Sequence, residues 1–362
     1  MPTLRDVLTL YQRCYSVPTH PSMSFLAQPL TFRPTHAFKP VWWAVHPHVQ
    51  TIAGALLATP PPLAVRRQRL DTPDGDFLDL DRLPAPTAQS PRLLLLHGLE
   101  SSSSSNEIRN LMALTQQAGW EAIALNFRTC SGEMNRVPRA YHSGETRDLA
   151  WLIEQLLGED PSWPLFCVGI SLGGNVLLKY LGEQGPNLPA QLQAAVAIST
   201  PFDLAKATAN LEQGFNWVYI DRFVKSLKQK AWEKHKRHPE LLDPQVIPTI
   251  QRLSEFDEWV TAPLHGFASA QDYWQKSSSL QFLPQIQRPT LLINAQDDPF
   301  FPGHFLPYSQ VEQNPYLTAL FPESGGHSAF IDEGYPYRLK FWSHRQAIAF
   351  LQQIERGNLA TL

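Results

Sequence analysis

The stretch that decides the fold is residues 165–184, which read LFCVGISLGGNVLLKYLGEQ. Its first six residues have the length and apolar character of a buried strand, and NVLLKYLGEQ has those of a helix. Between them lies a G-x-S-x-G motif at residues 169–173, at a strand-to-helix junction. The glycines leave room for a sharp, strained turn, which would hold Ser171 exposed at the carboxyl edge of a sheet and at a helix N-terminus. The alternative is a purely structural Gly-Ser turn.

The same alternation of apolar runs and amphipathic segments continues on both sides of this motif. The apolar runs are 93–96, 122–125, 165–170, 194–198, 290–293 and, more weakly, 319–321. The segments with helical character are 106–119, 144–157, 174–184 and 343–356. Continuous apolar strands favour a parallel sheet that is covered on both faces, and their alternation with helices predicts a doubly wound α/β fold. Residues 65–83, with a Pro-Asp-Gly turn at 73–75, predict a hairpin.

Two regions interrupt this alternation and predict additional parts of the domain. Thirteen of the 32 prolines fall within residues 1–90, and residues 1–62 are also rich in aromatic side chains. We therefore expect residues 1–62 to form an extended arm packed on the body. The interval from 199 to 289 is far longer than a strand-helix-strand unit of ~30 residues needs. With helical patterns at 211–238 and 247–260, it predicts a helical cap insertion over 202–285, which leaves 63–201 and 286–362 as the α/β domain.

Composition excludes several classes of protein. The 362 residues are 43% hydrophobic and carry a formal net charge of −3, so nucleic-acid binding through bulk positive charge is not expected. Three cysteines (Cys14, Cys130 and Cys167) without a C-x-x-C pair argue against a disulfide framework and for a reducing, cytoplasmic location. No apolar run approaches the ~18 residues of a membrane span, so no transmembrane segment is expected. Peripheral membrane contact and the oligomeric state are left open.

A serine hydroxyl becomes a useful nucleophile only beside a base, and that base needs an orienting carboxylate. Asp297 and Asp298 directly follow the apolar run at 290–293, and His327 lies in the Gly-rich loop PESGGHSAF. The order Ser, Asp, His along the chain suits a serine that follows a strand in this way. Either aspartate could orient the histidine, and the other would then cap the loop.

The developing negative charge of an attacked carbonyl needs two backbone N–H donors. We expect one from Leu172, the residue after the serine, and one from Leu99, which follows the His97-Gly98 turn after a strand. An ordinary turn at the strand end is the alternative for Leu99.

The remaining candidate sites are weaker. The His46-Pro47-His48 sequence lacks further ligands at a suitable spacing, so neither a metal nor an organic cofactor is expected. Residues 222–238 are strongly basic, and we interpret them as a solvated helix face, with a lid helix that touches a membrane or an anionic head group as the alternative. The aromatic side chains of the insertion could line an apolar acyl pocket or form its own core. They are Phe215, Trp217, Tyr219, Phe223, Trp259, Phe267, Tyr273 and Trp274.

Seven motifs along the chain together resemble the YheT-like branch of the α/β-hydrolases. They are HPHVQTI (46–52), HGLESSSSS (97–105), NFRTCSGEMN (126–135), YHSGETRDL (141–149), GISLGGNVLLKYLGE (169–183), STPFDL (199–204) and NAQDDPF (294–300). The resemblance covers about residues 40–335. It implies an α/β-hydrolase fold, a serine esterase, and a triad of Ser171, Asp298 and His327, because Asp298 stands four residues before a proline as in related hydrolases. The chain departs from the family pattern at Ser101 and Thr129, where we expect glycine.

The expected activity is hydrolysis of a small-molecule carboxylic ester, with a short, medium or lipid-like acyl group, through an acyl-enzyme. Eukaryotic members of the resembled family act on acylglycerols or phospholipids. Two alternatives stand beside this hypothesis. One is acyl transfer to an alcohol or thiol by the same three residues, and the other is a non-catalytic member that binds a lipid or partner. Acyl length and the choice among ester, thioester and amide are not determined by the sequence.

Overall fold

A central β-sheet organises the structure, a computed structural model that describes residues 32–87, 89–159 and 163–359. Residues 1–31, which hold the first half of the predicted arm and Cys14, lie outside the described residues. The strands of the sheet are β1 (Arg66–Asp71), β2 (Phe77–Leu83), β3 (Arg92–Leu96), β4 (Glu121–Asn126), β5 (Leu165–Ile170), β6 (Leu192–Ile198), β7 (Thr290–Ile293) and β8 (Leu317–Leu320).

The strands lie in the order β1-β2-β4-β3-β5-β6-β7-β8. From β4 to β8 all neighbours in the sheet are parallel, and the predicted hairpin, β1 and β2, adds two antiparallel strands at one edge. The predicted α/β fold with a mostly parallel sheet is confirmed. A separate short pair, β9 (Ile331–Glu333) and β10 (Lys340–Phe341), was not predicted, because neither strand is long enough to give a periodic pattern.

Helices cover both faces of the sheet and fill the insertion. They are α1 (Pro47–Leu57), α2 (Asn106–Gln117), α3 (Arg147–Glu159), α4 (Leu172–Gln184), α5 (Leu204–Leu211), α6 (Trp217–Arg237), α7 (Leu253–Phe256), α8 (Ala262–His265), α9 (Ala270–Ser277), α10 (Tyr308–Gln313) and α11 (Trp342–Leu359). Among the described residues, no helix combines the length and the apolar composition that spanning a bilayer requires.

Strand β3 shows why its apolar run is uninterrupted. Leu94 and Leu96 belong to the hydrophobic cluster on one face of the sheet, whereas Leu93 and Leu95 belong to the cluster on the other. All four side chains are fully buried. Alternate residues of a strand point to opposite faces, so a strand covered on both sides must be apolar at every position.

The described part of the predicted arm lies against the sheet domain. Phe38 packs edge-on against Phe330, with ring centroids 5.7 Å apart, and against Trp342 at 5.6 Å. The expectation of an extended arm is wrong for residues 47–57, which form helix α1. Pro47 occupies the first turn of this helix, where its missing N–H costs nothing, and His46 caps it by accepting the N–H of His48.

The cap between β6 and β7 has its own apolar core, which includes Leu227 of α6, Ile250 and Val260. Phe300 and Phe301, from the loop after β7, complete that core. The two segments with helical patterns are helical, but neither forms one continuous helix. Residues 211–238 are divided by a 3₁₀ turn at Gly214–Asn216, and residues 247–260 by a 3₁₀ turn at Ile247–Thr249 and a π turn that begins at Asp257.

Candidate active site

Ser171 lies at the sharp turn between β5 and α4. Its backbone has φ 53° and ψ −119°, a conformation that residues with a Cβ rarely adopt. The turn is held by the N–H of Ser171, which donates to the carbonyl of Ile198 at 2.8 Å. A Cβ on Gly169 would lie 2.4 Å from the carbonyl oxygen of Gly173, and one on Gly173 would lie 2.5 Å from that of Leu96. Both glycines of the motif are therefore required by close backbone packing.

Three side chains predicted from the sequence form a continuous hydrogen-bonded line. The Oγ atom of Ser171 lies 3.1 Å from Nε2 of His327. The other ring nitrogen of His327, Nδ1, lies 2.9 Å from Oδ2 of Asp298. Asp298 is 1% exposed, and its other oxygen accepts the backbone N–H groups of Phe300 at 2.8 Å and Phe301 at 3.3 Å. The carboxylate is thus held in place on both oxygens.

Asp297 has a different position from its neighbour. Its Oδ1 accepts the N–H of Gly326 at 2.9 Å, which ties the loop after β7 to the loop that carries His327. Burial raises the pKa of Asp297 above its ordinary value. Gly326 adopts φ 62°, and a Cβ there would lie 2.6 Å from the carbonyl oxygen of Pro47. Of the two aspartates left open by the residues alone, Asp298 is the one beside the imidazole.

The His327 ring is fixed by its surroundings as well as by Asp298. It stacks on Phe300, with centroids 4.2 Å apart, and meets Phe301 edge-on at 5.4 Å. Its backbone N–H donates to Oγ1 of Thr51 at 2.9 Å. Thr51 belongs to α1, so a helix that the sequence analysis did not predict supports this loop.

The predicted oxyanion donors both line the space next to Ser171. Leu172 is the first residue of α4, and Leu99 follows Gly98, where an added Cβ would lie 3.3 Å from the Cβ of Ser171. Within the described part of the chain, neither the N–H of Leu99 nor that of Leu172 donates to another protein group. A tetrahedral oxyanion requires two backbone N–H donors that are not used elsewhere.

Sequence reasoning missed a partly buried carboxyl group that contacts the histidine loop. Glu107, at the start of α2, accepts a hydrogen bond from Oγ of Ser328, and the N–H of Ser328 donates to Oγ of Ser199 at 2.8 Å. Burial raises the pKa of Glu107. A glutamate in the first turn of a helix is common because it complements the helix dipole, so no feature of a single sequence marks this one.

The contacts of His97 indicate a structural role. Its Nε2 accepts the N–H of Phe127 at 3.1 Å, and burial lowers its pKa to about 4. The ring is therefore neutral, and it supports the loop that carries Leu99.

Ser171 opens into a cavity of about 840 Å³ between the sheet domain and the cap. Four of the aromatic residues predicted for a pocket contribute to its lining, namely Tyr219, Phe223, Tyr273 and Trp274. Three others, Phe215, Trp217 and Trp259, are at least half exposed instead. Four serines of the Ser-rich run, Ser101, Ser102, Ser104 and Ser105, also line the cavity.

The interpretation of residues 222–238 as a solvated face is wrong for two of its lysines. Lys234 is 3% exposed, and its ammonium donates to the carbonyl groups of Asn135, Val137 and Arg139. Lys230 points into the cavity wall and pairs with Glu100 at 2.8 Å. The amphipathic pattern of α6 did not reveal these contacts because the partners come from distant parts of the chain.

The two departures from the family pattern differ in their consequences. Thr129 has φ 69°, the left-handed region in which glycine is favoured and a β-branched residue is strained. Its N–H donates to the side-chain oxygen of Asn135 at 2.6 Å, which helps to hold this conformation. Ser101 lines the cavity, and its N–H closes a turn on the carbonyl of Gly98 at 3.3 Å.

Comparisons with known proteins agree with this architecture. The model of the α/β hydrolase fold family matches residues 91–334. "Putative esterase YheT" of Escherichia coli (strain K12) is 38% identical over 288 residues, which cover 78% of this chain and 84% of that protein. "Phospholipase ABHD3" of Mus musculus is 28% identical over 310 residues, which cover 83% of this chain and 75% of that protein.

A likeness in fold alone extends to a solved structure, the esterase Pf2001 of Pyrococcus furiosus. It matches with a TM-score of 0.53 and 16% identity, covering 89% of this chain and 99% of that chain. The resemblance drawn from the seven motifs is confirmed by the family match and by the bacterial relative. With its strained serine turn on a mostly parallel sheet, the chain belongs to the α/β-hydrolase family, in its YheT-like branch.

Proposed function

We propose that the protein is a serine hydrolase that cleaves carboxylic esters through an acyl-enzyme. The observation that carries the proposal is the line of hydrogen bonds from Ser171 through His327 to Asp298. A nucleophile, a base and an orienting carboxylate within hydrogen-bond reach are the arrangement that activates a serine. The names of the relatives, an esterase and a phospholipase, support the same class of reaction.

The first half of the reaction acylates the serine. Oγ of Ser171 attacks the ester carbonyl carbon while Nε2 of His327 takes the hydroxyl proton. The carbonyl oxygen becomes negative and receives the N–H groups of Leu99 and Leu172. The carbon–oxygen bond to the alcohol then breaks, and His327 returns its proton to the leaving alkoxide. Asp298 holds Nδ1 of the ring and stabilises the imidazolium.

The second half removes the acyl group. Water loses a proton to Nε2 of His327 as it attacks the acyl carbon, and the resulting oxyanion occupies the same two donors. Collapse of this intermediate releases the carboxylic acid, and the proton returns to Oγ of Ser171.

The apolar lining of the cavity favours a substrate whose larger part is an apolar acyl group. Its cap-side wall includes Leu204, Leu211, Phe223 and Phe256, which would bury an alkyl chain. We therefore expect esters of medium-chain acids to be better substrates than acetate, chiefly through KM.

The test is covalent labelling followed by turnover. A fluorophosphonate probe should modify Ser171, identified by mass spectrometry of the peptide. A series of p-nitrophenyl esters of increasing acyl length should be hydrolysed by the wild type and not by Ser171→Ala. Ser309→Ala is the matched control, because Ser309 is an exposed serine of α10, remote from the line of hydrogen bonds.

Unlabelled Ser171 in protein that melts cooperatively would contradict the proposal. Products that retain the acyl group on an added alcohol, rather than as free acid, would indicate acyl transfer by the same residues.

A further inference from the structure

Glu100 follows the predicted oxyanion donor Leu99 and has an unusual set of contacts. Its side chain is only 4% exposed, and its carboxyl group forms an ion pair with Lys230. Oε1 accepts from the phenol of Tyr141 at 2.7 Å and from the ammonium of Lys230 at 2.8 Å. Oε2 accepts from the hydroxyl of Ser226. The backbone N–H of Glu100 also donates to Tyr141, at 2.8 Å.

These contacts join two separate parts of the molecule. Glu100 belongs to the loop after β3, in the sheet domain, whereas Ser226 and Lys230 are one turn apart on α6 of the cap. Lys230 also lies 3.3 Å from Sγ of the buried Cys130. A buried carboxylate is tolerated only when it is paired, so the loop and α6 depend on each other electrostatically.

The backbone conformation of the same loop explains why these contacts of Glu100 are needed. Residues 98–101 form a turn that is closed by the N–H of Ser101 on the carbonyl of Gly98. Glu100, the third residue of this turn, has φ 50°. A residue with a Cβ is disfavoured in that region, and it stays there only when surrounding contacts hold it. Leu99 is the second residue of the same turn, so the orientation of its N–H depends on the conformation of that turn.

We infer that Glu100 is a positioning residue. Helix α6 of the cap fixes the position of the Leu99 N–H, the oxyanion donor, through the ion pair of Lys230 with Glu100. The inference rests on the proposed ester hydrolysis and adds to it a coupling between the cap and the site of charge development. The oxyanion hole is complete only when α6 is docked on the loop.

A different role for Lys230 makes a different prediction. Lys230 lines the cavity, so its ammonium could bind an anionic group of the substrate directly. Its charge is already compensated by Glu100, which argues for positioning. Loss of a substrate contact would raise KM for anionic esters, whereas loss of positioning lowers kcat for all esters alike.

The experiment compares Glu100→Gln and Lys230→Met with the wild type on p-nitrophenyl esters. Removing an oxyanion donor outright lowers kcat by about 10²–10³-fold, so a displaced donor should lower it by roughly 10- to 100-fold with KM nearly unchanged. Labelling of Ser171 by the fluorophosphonate should slow in parallel, since the phosphonyl oxygen uses the same donors. Lys225→Met is the matched control, because Lys225 is on the same helix but its pair with Asp221 is exposed.

The double variant, Glu100→Gln with Lys230→Met, separates positioning from stability. Each single variant leaves a buried group without its partner and should melt at a lower temperature. The double variant removes both charges, so its melting temperature should recover while kcat stays as low as in the singles. Lys230→Arg, which restores a cation, should recover part of kcat.

Three outcomes would overturn the inference: wild-type kcat in Lys230→Met, a kcat in the double variant that recovers together with its melting temperature, or a change confined to KM. If wild-type Ser171 is neither labelled nor active, the proposed function itself fails, and the inference fails with it.

Discussion

At the scale of single residues, strained backbone is concentrated around the cavity. Glu100, Thr129, Ser171 and Ser328 all combine a Cβ with a positive φ, and all four line it. Such conformations cost free energy and persist only where surrounding contacts over-determine them. The strained backbone conformations therefore cluster around the same cavity into which Ser171 opens.

The two adjacent aspartates give a residue-scale prediction. Asp298→Asn should lower kcat by roughly 10³- to 10⁴-fold, because an amide neither holds the required tautomer of His327 nor stabilises its charged form. Asp297→Asn should stay close to the wild type, since an amide oxygen can still accept the N–H of Gly326. Steady-state kinetics on one p-nitrophenyl ester measures both. Equal losses in the two variants would contradict the assignment.

At the scale of elements, helix α1 links the arm to the loop of His327. One side of α1 buries Gln50 and Thr51, and Gln50 exchanges hydrogen bonds with the backbone of Ile331. A single hydroxyl, that of Thr51, accepts the N–H of His327 and donates to the carbonyl of Pro47 at 2.8 Å. Helix α1 is therefore part of the frame that orients the imidazole.

Substitution of Thr51 tests this link. Thr51→Val keeps the shape but leaves the buried N–H of His327 without an acceptor, which should cost about 1–3 kcal/mol of unfolding free energy. It should also lower kcat, because the loop is free to shift. Thr51→Ser retains the hydroxyl and is the control. Urea unfolding and ester kinetics measure the two effects, and a Val variant that matches the Ser variant in both would refute the link.

At the scale of the whole molecule, a buried arginine joins three distant segments. Arg128, 2% exposed, pairs with Asp76 of the hairpin at 2.8 Å and with Asp148 of α3 at 2.6 Å. Burial alone would raise the pKa of Asp76. Hydrogen bonds from the N–H of Arg136 and from Asn135, with the charge of Arg128, hold that pKa below its ordinary value instead.

The lowered pKa of Asp76 determines how its contribution to folding stability changes with pH. A carboxylate with a lowered pKa in the folded state contributes stability that is present above its unfolded pKa of about 3.9 and is lost as the pH falls through the folded value. In Arg128→Met, the buried Asp76 loses its counter-charge, whereas Asp148 keeps Arg139 at 3.1 Å; the change should cost about 3–5 kcal/mol at pH 7. Protonation of Asp76 then relieves the cost, so the variant should regain stability as the pH falls from 7 to 5.

Urea unfolding at pH 7 and pH 5 measures this reversal. Arg136→Met is the control, because its ion pair with Asp71 is exposed. If the stability of Arg128→Met changes between pH 7 and pH 5 in parallel with that of the wild type, with no gain of its own, the role of Arg128 is disproved.

Much of the fold could be predicted because its signals are local. The strands around Leu93–Leu96 and LFCVGI are apolar at every position because both faces of the sheet are covered, and that pattern is visible in a single sequence. Helix α1 was missed because prolines on both sides suggested an extended chain. The short β9 and β10 and the π turn at Asp257 carry no periodic signal.

For this protein, the sequence by itself indicated the strands of a parallel sheet, the strained turn at Ser171 and the family, since each depends on patterns or motifs of residues that are neighbours in the chain. The residues alone left both aspartates open, the family resemblance implied Asp298, and the tertiary structure has Asp298 beside His327. Only the tertiary structure showed that Thr51 supports that loop and that Lys230 pairs with Glu100. Those contacts join residues 29, 276 and 130 positions apart. Their geometry is fixed by packing between whole elements, which no local pattern records.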